Sequence, residues 1–241
     1  MNIFPAIDLY GGKAVRLRKG DYNEMTVYSD DPASVALDFK SKGARHIHLV
    51  DLEGAKSGDT PNFGTVKRIL SVGGLFSEIG GGIRSLETSE KYLSAGASRV
   101  ILGTAAVENE SFLREAVRLF GERIAVGADI KDGFIAVKGW LESSKLSLWD
   151  FSRRMQDIGV KALICTDISR DGEMRGANLE LYRRLNEELD MEIIASGGVS
   201  SIEEIKTLRG YGVSGAIVGK AYYEGLFRLE DAIAAAKQEE E

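Results

Sequence analysis

A chain of 241 residues, 44% hydrophobic and 28% charged, has the length and apolar content for one large α/β barrel or two smaller globular domains. Its net charge of −6 argues against a nucleic-acid partner, which needs clustered positive charge. The single cysteine, Cys165, excludes an internal disulfide, and with two histidines it leaves little for a soft-metal site.

The chain starts on an apolar run, Met1 to Pro5, with no basic leader, and no window approaches the ~18 apolar residues of a membrane span. We therefore expect no membrane partner and a reducing cytoplasm as the compartment. Only the acidic end, Lys237 to Glu241, reads as a frayed, solvated helix end.

Short apolar runs alternate with longer segments of helical period, the pattern of strand–helix units around a parallel sheet. Ile3 to Asp8 reads as the first strand, followed by a polar loop with a short extended piece at Lys13 to Leu17. Pro32 opens a helix that Gly43 closes. His46–Asp51 is the second strand, Pro61 to about Ser71 its helix. Phe76 to Ile79 leads into a glycine-rich turn, and Leu86 to Ala95 follows as a helix capped by Gly96. Arg99–Leu102 is the fourth strand, with a helix around Ser111 to Phe120. Ile124 to Asp129 is the fifth, with a hairpin-like excursion through Gly133 to Val137 and a helix from Trp149 to Ile158. Ala162 to Thr166, Glu192 to Ala195 and Gly215–Val218 complete the strands. Helices follow them at Leu179 to Leu189, Ile202 to Arg209, Ala221 to Gly225 and Leu229 to Lys237.

Eight such units, spaced roughly 25–30 residues apart, are the count that closes an α/β (β/α)8 TIM barrel. A doubly wound open sheet is the rival. An internal repeat favours closure. Gly80-Gly81-Gly82-Ile83-Arg84-Ser85 is echoed by Ser196-Gly197-Gly198-Val199-Ser200-Ser201, and 198 − 82 is 116. The same offset relates Gly103-Thr104 to Gly219-Lys220 and Asp51 to Asp167. A fixed period this long means two equivalent halves, and we expect residues 1–241 to form one barrel domain with a two-fold half-barrel repeat.

In such barrels chemistry sits at the C-terminal rim, so the residues that end strands carry the information. Each glycine turn frees backbone N–H groups just before a helix, which suits a phosphate. Gly81, Gly82 and Gly103 would form one cradle and Gly197, Gly198 and Gly219 the other, which suggests a small-molecule substrate with a phosphate at each end. Arg84 would add a charged contact. Four strands end in an acid: Asp8, Asp51, Asp129 and Asp167. Asp8 and Asp129 lie on strands one and five, opposite each other, where one can act as base and the other as acid. Asp51 and Asp167 either join the site or orient its loops. Thr166 is placed to assist beside a reacting oxygen. Trp140, between Gly139 and Leu141, is either a lid that stacks on a flat heterocycle or packing under its loop. His48 and Cys165 read as structural.

With these residues in view, the chain resembles the phosphoribosylformimino-aminoimidazole carboxamide ribotide isomerases of histidine biosynthesis, the HisA family. The resemblance runs from Pro5 to about Ala234. It rests on Pro5-Ala6-Ile7-Asp8-Leu9, Val15-Arg16-Leu17, Val50-Asp51-Leu52, the two glycine turns, Gly139-Trp140 and Thr166-Asp167-Ile168-Ser169-Arg170-Asp171-Gly172. It implies an Amadori rearrangement of a bisphosphate aminoaldose, with no metal or organic cofactor. Asp8 would be the base that removes the C2 proton and Asp129 the acid that protonates the ring oxygen, assisted by Thr166. Arg84 and Trp140 would contact the central part of the substrate, and Gly82, Gly103, Gly198 and Gly219 would lie in the phosphate turns. Thr104, Asp167 and Lys220 extend the expected binding set, and we expect a monomer.

Three positions depart from the family pattern. Lys131 replaces an arginine after the fifth strand. Glu78 stands where a neutral glutamine is usual, and would weaken anion binding if it pointed into the rim. Lys138 replaces a common histidine before Gly139-Trp140 and bears on loop closure. The alternatives are a sister cyclase, a dual-substrate isomerase also acting on phosphoribosyl anthranilate, and a non-catalytic barrel that senses a phosphorylated metabolite.

Overall fold

A computed structural model describes residues 1–18, 20–173 and 175–237. Residues 238–241 of the tail read above as a solvated helix end lie outside the described residues.

Eight parallel strands form a closed ring. In chain order they are β1 (Asn2–Tyr10), β4 (His46–Asp51), β5 (Phe76–Gly80), β6 (Arg99–Leu102), β7 (Ile124–Lys131), β10 (Ala162–Asp167), β11 (Glu192–Ser196) and β12 (Gly215–Val218). Each pairs with its neighbours in that order. The ring shuts where Asn2 to Pro5 of β1 run beside Gly215 to Val218 of β12. All eight match the strands expected from the sequence, most to within two residues at either end.

Two antiparallel excursions leave the ring at the C-terminal rim. After β1 come β2 (Lys13–Arg18) and β3 (Asp21–Ser29); after β7 come β8 (Phe134–Val137) and β9 (Glu142–Ser147). The sequence reading anticipated β2 and β8 but not the return strands. Both are polar and largely solvent-facing, so they lack the apolar run that marks a buried strand.

The longer helices pack outside the ring: α1 (Pro32–Ser41), α3 (Phe63–Leu70), α4 (Leu86–Ser94), α6 (Glu110–Phe120), α7 (Leu148–Ile158), α8 (Leu179–Glu188), α9 (Ile202–Gly210) and α11 (Leu229–Ala236). Three short helices sit directly after strands at the rim: α2 (Leu52–Ser57), α5 (Thr104–Glu108) and α10 (Lys220–Tyr223). No helix among the described residues is long and apolar enough to cross a membrane.

The two-residue pleat divides each strand between two cores. Phe4, Ala6, Ile101, Ala125, Ala162, Ile164, Ile194 and Ile217 fill the inside of the barrel. Their sequence neighbours, such as Ile3, Ile7, Val126, Leu163 and Ile193, pack outward against the helices. Continuing the inner parity gives Asp8 and Thr166, two residues beyond Ala6 and Ile164, and Asp129, four beyond Ala125. Asp51 and Asp167 have the opposite parity.

The 116-residue echo is carried by contacts as well as letters. The Asp51 carboxylate accepts from the Gly54 N–H at 2.9 Å, the Asn62 N–H at 3.1 Å and the Asn62 side-chain amide at 2.8 Å. Asp167, its counterpart, accepts from the Ser169 N–H at 3.0 Å, the Ser169 hydroxyl at 2.6 Å and the Asn178 amide at 2.8 Å. Asn178 is again 116 residues beyond Asn62. Ser85 and Ser201 cap α4 and α9 in the same way, each accepting from the N–H three residues on. A Cβ on Gly81 would fall on the Asp51 backbone carbonyl, and one on Gly197 would come within 2.7 Å of the Asp167 carbonyl. Both glycines also sit at positive φ, so the turns tolerate no side chain.

These networks set a stability expectation. Asp51 is fully buried, and Asp51→Ala strands three donors without water. Urea denaturation should show a loss of about 3 kcal/mol. Breaking the exposed Glu115–Arg118 pair should leave the urea midpoint unchanged.

Candidate active site

A cavity opens at the C-terminal rim, floored by the apolar inner residues and walled by strand ends and the two excursions. Asp8, Asp129, Thr166, Gly81, Gly82, Arg84, Gly103, Thr104, Trp140, Gly197, Gly198, Gly219 and Lys220 all line it. Asp167 does not. The pleat turns its carboxylate away from the lumen, where Ser169 and Asn178 occupy it. The expectation that Asp167 binds substrate is therefore corrected: it fixes the loop after β10, as Asp51 fixes the loop after β4.

The two central acids sit in different electrostatic surroundings. Asp8 accepts a hydrogen bond from Arg16 Nη1 at 2.7 Å, and both side chains are mostly buried. A guanidinium so close makes this a charge-assisted hydrogen bond. The remaining Arg16 contacts hold it rigidly: Nη2 donates to the Ala6 carbonyl at 2.8 Å, and the guanidinium lies 5.3 Å from the centre of the Tyr223 ring. Among the described residues, no cation is in hydrogen-bond contact with Asp129. Burial pushes its pKa up, opposed by hydrogen bonds from Trp140 and Thr166. The Trp140 indole N–H donates to Asp129 Oδ2 at 2.8 Å. Thr166 faces Asp129 in strand register.

Trp140 is thus tied to an acid, neither free as a flap nor simply packed beneath its loop. Its backbone adopts φ +71°, and Lys138 adopts φ +55°, both unusual for residues with side chains. The tip of the β2–β3 excursion meets it: a Cβ on Gly20 would lie 2.7 Å from Trp140 Cε3. The two excursions therefore touch across the mouth of the cavity. Lys138, the departure noted above, donates its backbone N–H to Thr104 Oγ1 at 2.8 Å and pairs its ammonium with Glu142 at 2.9 Å.

The glycine turns occupy opposite sides of the rim. At the first, Arg84 donates to the Ala55 carbonyl at 3.1 Å and leaves no room for a side chain at Gly58. At the second, Lys220 donates to the Gly172 carbonyl at 2.8 Å. A Cβ on Gly219 would come within 2.7 Å of Arg16 Nη2, so the second turn abuts the Arg16–Asp8 pair directly. Gly103 and Gly219 share an uncommon backbone conformation, with ψ near −105° at both (−106° and −103°).

Four titratable residues of the cavity escaped the sequence reading of the site: Arg16, Tyr22, His48 and Asp171. Arg16 had been noted only within a motif and His48 read as structural. Pleat parity marks His48, which shares the inner register with Val50, another lining residue. Tyr22 lies on the unrecognised β3 excursion and donates to the Leu52 carbonyl at 2.8 Å. Asp171 is carried by the loop after β10. Burial raises its pKa to about 6, with Arg16 and Lys220 opposing and Asp8 and Asp129 reinforcing. Glu78 does not reach the rim. It points into the barrel below the cavity floor, fully buried, and contacts His48 and Arg99.

Because folding holds the Asp171 proton more tightly, this group's stabilising contribution is fully present below about pH 4 and fades as pH rises through about 6. Urea melts at about pH 4.5 and about pH 7 should show a smaller loss of stability across that interval for Asp171→Asn than for the wild type. Equal losses would show that the fold does not retain this proton.

Known proteins match this chain along nearly its whole length. The model of the histidine biosynthesis protein family matches residues 2–228. A Clostridium kluyveri protein is 48% identical over 233 residues, covering 97% of this chain and 98% of the relative. A Clostridium botulinum protein is 46% identical over 233 residues, with 97% and 98% covered. One from Oceanobacillus iheyensis is 45% identical over 231 residues, with 96% of each covered. All three are named as the phosphoribosyl-(phosphoribosylamino-methylideneamino)-imidazole-carboxamide isomerase. The chain belongs to the histidine biosynthesis protein family.

Proposed function

We propose that the protein is an aldose–ketose isomerase of histidine biosynthesis, converting a bisphosphate aminoaldose into the corresponding aminoketose by an Amadori rearrangement. One observation carries this reading: an arginine-paired carboxylate and a carboxylate of raised pKa face each other across a cavity that lies between two glycine turns. The relatives' printed names agree with it.

Each phosphate would rest on one turn, so the ligand spans the rim and presents its N-linked ribose to the floor. Asp129, protonated, gives its proton to the ring oxygen; the C1–O bond breaks and a C1=N double bond forms. Asp8, ionised, takes the proton from C2, and the C–H electrons become the C1=C2 bond of an enolamine. Return of a proton to C1 and loss of the C2 hydroxyl proton leave a ketone at C2. Both steps are general acid–base catalysis, for which the acids' different environments suit them. Thr166 and the Trp140 indole hold Asp129 in place. We place the enzyme in the cytoplasm as a monomer.

Turnover of the histidine-pathway aminoaldose tests the reading, with phosphoribosyl anthranilate assayed in parallel. Asp8→Asn and Asp129→Asn should each lower kcat by ~10²–10⁴-fold while remaining folded by circular dichroism. Near wild-type turnover in both variants would rule out the assigned roles.

The two-phosphate arrangement makes a separate claim. Crystals soaked in phosphate or sulfate should show an anion at Gly81–Gly82 and Gly103, and another at Gly197–Gly198 and Gly219. Density at one turn alone would mean that the ligand is held at one end.

A further inference from the structure

Below the acids, a connected set of polar groups runs among the apolar residues inside the barrel. His48, on β4, borders the cavity and its side chain is 12% exposed. Its Nδ1 lies 2.7 Å from Glu78 Oε1, and Glu78 is fully buried on the adjacent strand β5. The other Glu78 oxygen accepts two bonds from Arg99, at 2.5 Å and 3.2 Å. Arg99 Nη1 continues to Glu192 at 3.0 Å, at the bottom of the barrel. None of this is used by the acid–base steps above.

The proton positions follow from charge. Arg99 can only donate, so Glu78 must accept from it, and the pair keeps the buried carboxylate ionised. An ionised carboxylate also only accepts, so His48 Nδ1 must carry a proton. Of the two neutral imidazole tautomers, the one that can donate from Nδ1 to Glu78 leaves its lone pair on Nε2. That nitrogen has no protein partner among the described residues and is not sealed from solvent.

We propose that Glu78 is a positioning residue that locks His48 in the Nδ1–H tautomer, and that His48 Nε2 is the fixed acceptor for a hydroxyl of the reacting sugar at the cavity floor. The second half rests on the isomerase reading; the first does not. Orientation of a ring by a buried carboxylate behind it is a general way to assign its free nitrogen a single role.

The substitution Glu78→Gln separates these claims because glutamine has one acceptor and one donor end. Arg99 takes the acceptor end, which turns the amide N–H₂ toward His48 Nδ1. Nδ1 must then accept, and the ring proton moves to Nε2. Nitrogen-15 NMR of the histidine side chains, without substrate, should place the wild-type His48 proton on Nδ1 and the Glu78→Gln proton on Nε2. A wild-type proton on Nε2, or no change in the variant, overturns the positioning claim.

With the aminoaldose as substrate, kcat/KM should fall about 10-fold in Glu78→Gln, the scale of one hydrogen bond lost at a desolvated site. It should fall equally in His48→Ala, and Glu78→Gln should cost nothing further in the His48→Ala background. Additive losses, or wild-type kcat/KM in His48→Ala, overturn the substrate contact. If Glu78→Gln does not fold, the wild-type spectrum and the His48→Ala assay still decide both halves. A wild type inactive on the aminoaldose defeats the isomerase reading and the substrate contact with it, while the NMR result stands or falls alone.

Discussion

The pleat of a parallel strand inside a closed ring is the constraint from which the site follows. Once eight strands close, every second residue is committed to a narrow lumen and the others to the helical shell. The lumen is filled low down by Phe4, Ala125, Ala162 and Ile194, so polar residues of inner parity at the strands' C-terminal ends open into the cavity above that core. Asp8, Asp129 and Thr166 are such residues. They owe their convergence to arithmetic along the strands and their exposure to the end of the core beneath them.

The same constraint explains the two acids that stay out of the cavity. Asp51 and Asp167 have outer parity and end their strands under the loops, where each carboxylate collects three donors. The carbonyls of these same residues crowd Gly81 and Gly197, so the turns that border the cavity are shaped by backbone held from the next strand. Loop support and glycine turn are thus built as one piece, twice, at a separation of 116 residues.

Much of this was legible in the letters. The eight ring strands are short apolar runs, and their burial is why the runs are apolar. The repeat placed both turns, and strand ends located Asp8, Asp129 and Thr166. What escaped has physical reasons. Strands β3 and β9 face solvent and carry no apolar signature. Asp171 sits on a loop, and only the fold brings it beside Arg16, Asp8 and Lys220. Asp167 looked like a site residue because it ends a strand, yet counting by twos from Ile164 turns it outward. His48 looked structural for the opposite reason: it lies within a strand, but the same count turns it inward. Glu78 is a charge inside an apolar run, intelligible only once Arg99 and His48 are seen on either side.

Gly219 shows how little separates grip from reaction in this barrel. Its missing side chain is the space that the Arg16 guanidinium fills, and that guanidinium is the partner of Asp8. A single methyl group there would displace a cation two bonds' reach from the proposed base while leaving every catalytic group in the sequence. At this end of the cavity a steric change in the glycine turn would be passed through Arg16 to the Asp8 carboxylate.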